Sequence, residues 1–320
     1  MEKIRIGLVG IGYLGSIHLE LLLALHQFEL VGVYDRNKER CSLTSEKYPH
    51  LPLFDSYAQL LSEVQAVGII ASTPAHFELA LLALKAQKAV FIEKPLCQTL
   101  QEAAALEMAQ AEALLPFQVG HVERFNPAFV AFESLNVEES ILHFSASRCA
   151  PFQERGADVS VVLDLLIHDL DLLLSLSSAS LTHVEVQAKQ LQSAHPDEVR
   201  VKLAFEDGLR AHLFVSRIAE QRIRQVNIET QTRIFELDLL HKTLKSTHTR
   251  SAAAQFHTVP DHNALQQQWQ DFAWAVQHMQ QPKVNLKSGL NALDLALQID
   301  ALARDFISEK NQQIHNNQSH

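Results

Sequence analysis

The sequence has few cysteines, and their spacing does not suggest pairing. Only three of its 320 residues are cysteine, namely Cys41, Cys97 and Cys149. An odd number without Cys-x-x-Cys spacing argues against a disulfide framework and against a structural zinc site. We therefore predict no bound metal and a reducing, cytoplasmic environment.

Long apolar runs are also missing. No stretch approaches the ~20 apolar residues that a transmembrane helix needs. The first residues, MEKIRIGLVGIG, contain only a short apolar run before glycines interrupt it. That pattern is not typical of a signal peptide. We expect no membrane-spanning segment and no interaction with a membrane.

Positive charge is scarce, with 27 Lys and Arg against 37 Asp and Glu and a net charge of -10. Without a block of basic residues, an acidic chain repels nucleic-acid phosphates, so we expect no nucleic-acid partner. A local basic pocket for a small phosphorylated ligand stays compatible with this charge. Hydrophobic residues make up 47% of the chain, which is typical of a packed globular protein, and its length predicts roughly two domains.

Two patterns follow one another along the chain. Short apolar runs alternate with helical patterns over residues 1–120, which predicts an α/β Rossmann domain with a doubly wound parallel sheet. Residues 184–239 instead alternate apolar and polar side chains, with a hairpin signal at Asp207-Gly208. We predict a second, α+β domain over 121–311 with a mostly antiparallel sheet. A polar tail follows over 312–320.

A glycine motif follows the first predicted strand and opens a helix. It consists of Gly10, Ile11, Gly12, Tyr13, Leu14 and Gly15, and Asp35 ends the next strand about 20 residues later. The glycines permit a tight turn and close approach of a pyrophosphate at the helix N-terminus, and Asp35 can accept hydrogen bonds from ribose hydroxyls. The pattern favours NAD. Arg36 can pair with a 2′-phosphate, which keeps NADP as the less favoured cofactor. The alternative is an ordinary strand-to-helix turn.

Two further polar segments follow buried strands. Ser72, Thr73 and Pro74 come after AVGIIA, and Glu93 and Lys94 come after AVFI. The carboxyl ends of parallel strands are where such folds bind ligands. Lys94, held extended by the following proline, can polarise a hydroxyl or carbonyl oxygen or relay its proton. The alternatives are a helix cap at Ser72 or Thr73 and a solvated charge pair at 93–94.

A nearly apolar helix over 161–176 carries the third signal. Asp164, His168 and Asp171 have i, i+4, i+7 spacing and therefore share one helix face, whereas Asp169 points elsewhere. Histidine is the natural general base near neutral pH, and Asp164 one turn earlier can orient it. The alternative is an amphipathic helix whose thin polar edge faces solvent.

Polar side chains suited to a substrate lie at the expected domain junction and beyond it. Arg124 and Asn126 in GHVERFNP offer planar hydrogen-bonding groups for a sugar or carboxamide. Arg148 and Arg155 precede the helix and can bind an anionic part of a substrate. The alternatives are structural contacts for the first pair and surface positions for the second.

Taken together, these segments resemble the glucose-fructose oxidoreductase / inositol dehydrogenase (Gfo/Idh/MocA) family over nearly the whole chain. The resemblance rests on GIGYLG, on STPAHFELALLALKAQKAVFIEKP, on the D-x-x-x-H-x-x-D helix and on GLNALDLALQIDAL. It implies a Rossmann domain followed by a domain with a large open sheet, often used for homo-oligomerisation. It also implies catalytic roles for Lys94, Asp164 and His168, and cofactor contacts from Glu93 and the segment containing His76. The 94–95 peptide is often cis in such proteins.

The GHVERFNP segment is more similar to a subgroup that oxidises nucleotide sugars, the UDP-N-acetylglucosamine 3-dehydrogenases. This implies oxidation of a 3-hydroxyl to a ketone, a partner aminotransferase, and a role in lipid A or surface glycan synthesis. Arg148 and Arg155 would then contact a diphosphate and Asn126 the sugar. Leu166 stands where many family members have glycine, so inositol and glucose are not carried over as substrates. A dehydrogenase of a free polyol, sugar or other carbonyl compound and a non-catalytic dinucleotide sensor remain the alternatives.

Overall fold

The computed structural model describes residues 2–154, 156, 159–251 and 253–318, with side chains in the last helix described to residue 313. Two compact units make up the chain. Unit 1 comprises Met1–Val122 and Ala264–Leu290, and unit 2 comprises Glu123–Asn263 and Asn291–His320. The predicted division placed 121–311 in one domain. The structure differs from it because residues 264–290 group with unit 1.

Unit 1 contains a five-stranded sheet in the order β2-β1-β3-β4-β5, and all its strand pairs are parallel. The strands are β1 (Ile4–Val9), β2 (Phe28–Tyr34), β3 (Ala66–Ile69), β4 (Ala89–Glu93) and β5 (Phe117–Gly120). The helices are α1 (Tyr13–Ala24), α2 (Lys38–Lys47), α3 (Tyr57–Glu63), α4 (Thr73–Lys85) and α5 (Leu100–Ala113), with α8 (Ala264–His278) added from later in the chain.

The sheet of unit 1 is buried, as its apolar strands predict. Every residue of β3 and β4 is buried, which is typical of a parallel sheet covered on both faces. Trp269 of α8 is fully buried and stacks on Phe91 of β4, with ring centroids 3.9 Å apart. This packing explains why residues 264–290 belong to unit 1 rather than to the second predicted domain.

Unit 2 contains an eight-stranded sheet in the order β13-β12-β11-β10-β6-β9-β8-β7. Its strand pairs are antiparallel except for the parallel pair β6–β9. The strands are β6 (Ile141–Cys149), β7 (Leu181–Lys189), β8 (Glu198–Phe205), β9 (Arg210–Ser216), β10 (Ile223–Thr230), β11 (Arg233–Asp238), β12 (Thr243–His248) and β13 (Ala254–His257). The predicted fold class is confirmed. The predicted strand-rich segment was too short, because β6, β12 and β13 lie outside it.

The helices of unit 2 are α6 (Pro127–Ser134), α7 (Ile167–Leu174) and most of α9 (Leu286–Gln318). A 3-10 turn over Val122–Phe125 begins with the last residue of the first segment of unit 1 and continues in unit 2. Residues of α6, α7 and α9 join one face of the sheet in a single hydrophobic core. The predicted polar tail differs from the structure at 312–318, where the backbone continues α9. Within the described residues, no helix is both long enough and apolar enough to cross a membrane.

Candidate active site

The glycine motif forms the tight turn between β1 and α1. Gly10 has a φ of +88°, and a side-chain carbon built on it would lie 2.6 Å from the backbone nitrogen of Ala71. A side-chain carbon on Gly15 would lie 2.0 Å from the carbonyl oxygen of Gly10. Both positions therefore require glycine, one for the turn and one for the packing of the helix start against it.

Gly12 is the N-cap residue of α1 and has no side chain to occupy the first N–H groups of that helix. Asp35 follows β2, and its carboxylate accepts hydrogen bonds from the backbone N–H groups of Ile11 and Asn37, both at 2.8 Å. The helix start can receive a pyrophosphate through its N-terminal N–H groups, and the second lone pairs of Asp35 can accept ribose hydroxyls. Gly10, Gly12, Gly15 and Asp35 thus fit a dinucleotide. Tyr13 is exposed and Leu14 half-buried at the same turn.

Two arginines lie beside this turn. Arg36 is exposed, and its guanidinium lies 3.5 Å from a carboxylate oxygen of Glu78. Arg40 was not singled out from the sequence, yet its Nη1 lies 3.9 Å from Oδ2 of Asp35 and 3.4 Å from a side-chain carbon built on Gly12. The proximity of Arg40 to the glycine turn depends on how α2 packs beside that turn, which the sequence pattern does not give.

Ser72, Thr73 and Pro74 form the N-terminus of α4, with Ser72 as the N-cap residue. His76 lies one turn further and is buried. Its Nδ1 is 2.8 Å from the carbonyl oxygen of Pro95 and its Nε2 is 2.9 Å from that of Ala71. Burial lowers the pKa of His76. Because main-chain oxygens face both ring nitrogens, His76 holds the loop after β4, and the predicted cofactor contact from its side chain does not fit this geometry.

Glu93 and Lys94 lie at the end of β4, and the Lys94–Pro95 peptide is cis, as the resemblance implied. Glu93 is buried. Its Oε2 accepts a hydrogen bond from the backbone N–H of Lys94 at 3.1 Å, and its Oε1 lies 3.2 Å from Nε2 of His18. Lys94 itself is half-buried.

A buried chain of polar groups stands behind Glu93. The indole N–H of Trp269 donates to Nδ1 of His18 at 2.9 Å. Since Nδ1 accepts, the remaining ring proton of neutral His18 lies on Nε2, facing Glu93. Both His18 and Trp269 are completely buried. Neither was identified from the sequence, because a histidine on an apolar helix face gives no signal of its distant partners.

In unit 2, the helix carrying Asp164 and His168 begins irregularly. Val162–Leu166 form a π-helical turn that leads into α7. Such turns frequently occur at functional sites. Asp164 and His168 are half-buried, whereas Asp171 is buried with its Oδ1 3.7 Å from Nη1 of Arg124. Asp171 therefore does not continue the half-buried polar stripe that the spacing predicted. Leu166 is fully buried in the core of unit 2.

Arg148 lies at the centre of a buried charge cluster. Its guanidinium donates to both carboxylate oxygens of Asp169 and, at 2.8 Å, to Oε1 of Glu123. Burial alone would raise the pKa of Glu123, but the positive charges of Arg148 and Arg224 outweigh it and hold that pKa below its ordinary value. The same carboxylates raise the pKa of Arg148 against the effect of burial. The predicted anion-binding role of Arg148 is inconsistent with these contacts.

The side chain of Asn126 also makes internal hydrogen bonds. Its amide group donates to Oε2 of Glu123 and to the carbonyl oxygen of Leu239, both at 2.9 Å, and its Oδ1 accepts from the backbone N–H of Ala128. It caps α6, so the structural alternative fits it better than a sugar contact. Arg124 keeps 11% of its side chain exposed. Arg155 lies outside the described residues.

The predicted site residues thus fall into two groups. Unit 1 brings the glycine turn, Asp35, Ser72, Glu93 and Lys94 to the carboxyl ends of its parallel strands. Unit 2 holds Asp164 and His168 on one helix. The combined action of Lys94, Asp164 and His168 on one substrate stays a prediction.

The chain is similar to known oxidoreductases over most of its length. Residues 4–121 match the model of an oxidoreductase family with an NAD-binding Rossmann fold, Gfo/Idh/MocA. The chain is 33% identical over 248 residues to a UDP-N-acetylglucosamine 3-dehydrogenase of Acidithiobacillus ferrooxidans, covering 78% of each protein. It is 25% identical to a scyllo-inositol 2-dehydrogenase (NAD(+)) of Bacillus subtilis, covering 91% of this chain and 93% of that protein.

Among solved structures, that of the Acidithiobacillus enzyme superposes with a TM-score of 0.89 at 31% identity, covering 96% of this chain and 99% of the other. The described glycine turn and the strand order of both sheets are consistent with this match. The chain therefore belongs to the Gfo/Idh/MocA family and is an oxidoreductase that uses NAD.

Proposed function

We propose that the protein oxidises a hydroxyl group of a nucleotide sugar, and specifically the 3-hydroxyl of a UDP-N-acetylhexosamine. The proposal rests mainly on the 33% identity to a UDP-N-acetylglucosamine 3-dehydrogenase over 78% of both chains. A half-buried lysine after β4 and an aspartate-histidine pair on one helix supply the groups that such chemistry needs.

In this proposal, Lys94 stabilises negative charge on the reacting oxygen, and His168 or Lys94 accepts the hydroxyl proton. Asp164 orients His168. The glycine turn and Asp35 would hold NAD, which would supply the hydride acceptor for the carbon. Neither His168 nor Lys94 is assigned as the first acceptor. Glu93 holds the backbone of Lys94 through its carboxylate.

Further expectations accompany this substrate. The resulting 3-ketone is a substrate for a partner aminotransferase, in lipid A or surface glycan synthesis, and the open sheet of unit 2 is the expected homo-oligomer surface. A second candidate is oxidation of a free polyol, supported by the 25% identity to an inositol dehydrogenase over 91% of this chain.

An assay that follows the reduction of NAD or NADP by nicotinamide absorbance tests which compound is the substrate. The panel contains UDP-N-acetylglucosamine, UDP-glucose, inositol and glucose, each with and without a coupled aminotransferase. We expect reduction only with NAD and the UDP-N-acetyl sugar. Activity with inositol or glucose alone would contradict the nucleotide-sugar assignment and favour the second candidate.

The variant Lys94→Ala tests the assigned role. A positioned acid-base group typically contributes about 10²–10⁴-fold, and we expect a loss of that size in kcat while NAD binding persists. The matched control is Lys85→Ala, an exposed lysine at the end of α4. Turnover by Lys94→Ala equal to that of the control would disprove the role of Lys94.

A further inference from the structure

A cavity of about 190 Å³ lies within unit 2 beside Asp164. Four arginines line it, namely Arg148, Arg217, Arg222 and Arg224. The other lining residues are Cys149, Ala150, Pro151, Gln153, Gly156, Asp164 and Leu165. We propose that this cavity binds the diphosphate of the substrate, with Arg222 and Arg224 as its donors. This inference rests on the proposed nucleotide-sugar function and assigns the anionic end of that substrate to residues which the sequence did not reveal.

The register of β10 explains why these arginines reach the cavity. Arg224 pairs with Arg148 of β6, and Val226 and Ile228, which follow at intervals of two, are completely buried in the core. Alternate residues of a strand lie on the same face of the sheet. The apolar row of β10 therefore ends in an arginine on the face that packs against the helices. Arg222 precedes the strand by one residue and lines the same cavity.

The four arginines differ in what their guanidinium groups already bind. Arg148 donates to Asp169 and Glu123. Arg217 donates to the carbonyl oxygens of Gly156 and Val159, at 2.9 and 2.7 Å, and so holds the backbone at these two residues. These two arginines build the wall of the cavity, and their contacts are internal.

Arg222 and Arg224 are the accessible cations. Arg222 is exposed, and Arg224 keeps 44% of its side chain exposed while one of its nitrogens lies 3.3 Å from Oε1 of Glu123. Each guanidinium presents five N–H donors in a planar fork that matches phosphate oxygens. Two such forks, on residues two apart in the sequence and lining the same cavity, suit two linked phosphates.

Asp164 in the same lining fixes the direction of the ligand. A carboxylate repels phosphate but accepts hydrogen bonds from sugar hydroxyls. The diphosphate therefore belongs at the arginine end of the cavity and the uncharged sugar at the Asp164 end. This orientation places the sugar next to the helix that carries His168.

Calorimetric titration of the full-length protein with inorganic pyrophosphate and with UDP tests the site separately from catalysis. The variants are Arg222→Gln and the double variant Arg222→Gln/Arg224→Gln, with Arg210→Gln as a control at an exposed arginine of β9. We expect both ligands to bind the wild type and the control equally. Binding should weaken at least 10-fold in the double variant, while NAD affinity stays unchanged. Arg222→Gln alone, at an exposed position, should weaken binding less and guards against misfolding of the double variant.

Equal binding of UDP and pyrophosphate by the wild type and the double variant, or no binding by the wild type, would overturn the site. A wrong reaction assignment would give a different result from a wrong anion site. If UDP binding depends on Arg222 and Arg224 but no UDP sugar is oxidised, the anion site stands and the reaction assignment is wrong. If UDP-N-acetylglucosamine is oxidised with the same KM by both proteins, the function stands and the site is wrong.

Discussion

Two sets of polar side chains, one in each unit, are stabilised in different ways. In unit 1, His76 and Tyr57 bond to backbone carbonyl oxygens, and Asp35 accepts backbone N–H groups. In unit 2, Arg148 lies among charged side chains of the opposite sign. The first arrangement depends on the path of the main chain. The second depends on charge balance, so it should be far more sensitive to the loss of one member.

The largest effect is expected from Arg148→Met. This change leaves Glu123 and Asp169 buried without their main cation, and breaking a buried ion pair from one side typically costs about 3–5 kcal/mol. We expect the free energy of unfolding in urea to fall by that amount. Arg210→Gln, at an exposed site, should change it by less than about 0.5 kcal/mol. Similar values for the two variants would remove the contrast between the units.

Two alanine substitutions in one glycine turn separate stability from cofactor binding. A side-chain carbon at Gly15 would collide with the backbone of Gly10, whereas at Gly12 the neighbouring atoms belong to the flexible Arg40 side chain, 3.4 Å away. We expect Gly15→Ala to cost about 1–3 kcal/mol through overpacking. Gly12→Ala should keep the Tm of the wild type but bind NAD more weakly, because the added methyl group blocks close approach of the pyrophosphate. Fluorescence titration with NAD and thermal unfolding measure both. A Tm loss in Gly12→Ala equal to that in Gly15→Ala would be inconsistent with the geometry.

The charge cluster should also give unit 2 a pH signature. The pKa of Glu123 is held below its ordinary value of 4.5. Its ionised form therefore stabilises the fold at pH values above the pKa of the carboxyl in the unfolded state. This contribution is lost as the pH falls through the pKa of the carboxyl in the folded state. Unfolding free energies measured from about pH 7 down to pH 3 should decline less steeply in Glu123→Gln than in the wild type. Parallel curves for the two proteins would mean that Glu123 is not coupled to its arginines.

The smallest effect belongs to Tyr57→Phe in unit 1. The buried hydroxyl of Tyr57 donates to the carbonyl oxygen of Leu79 at 2.9 Å. Removing one neutral hydrogen bond typically costs about 0.5–1.5 kcal/mol. Urea unfolding that shows a cost as large as that of Arg148→Met would contradict the proposed difference between the units.

The sequence predicted the features that depend on local patterns. The glycine turn and Asp35 follow from their spacing, and the buried strands of unit 1 follow from their apolar runs. Arg148 shows where this reasoning fails. An arginine in a largely apolar strand gives the same sequence pattern whether it binds an anionic substrate or a buried carboxylate that is distant in sequence. Asp169 is 21 residues away from it and Glu123 is 25.

The same limit applies to His18 and to Arg222 and Arg224. His18 meets Trp269, 251 residues later in the chain, and no periodicity predicts that contact. Arg222 and Arg224 line one cavity with Asp164, and the pairing of β10 with β6 places Arg224 beside Arg148. Sheet order in unit 2, including the parallel pair β6–β9 among antiparallel neighbours, could not be read from strand patterns either, because alternation identifies strands but not their partners.

The placement of Trp269 has a consequence for how the protein is made. Ribosomal synthesis delivers residues 1–122 first, but the side chain that stacks on Phe91 at the centre of unit 1 is added only after residues 123–263 have been translated. The Rossmann unit therefore cannot complete its core as an early, independent product of translation. A gene fragment that stops before residue 264 encodes a nucleotide-binding fold with its central aromatic missing. Cutting this chain at the boundary suggested by sequence therefore separates Trp269 from the sheet on which it packs.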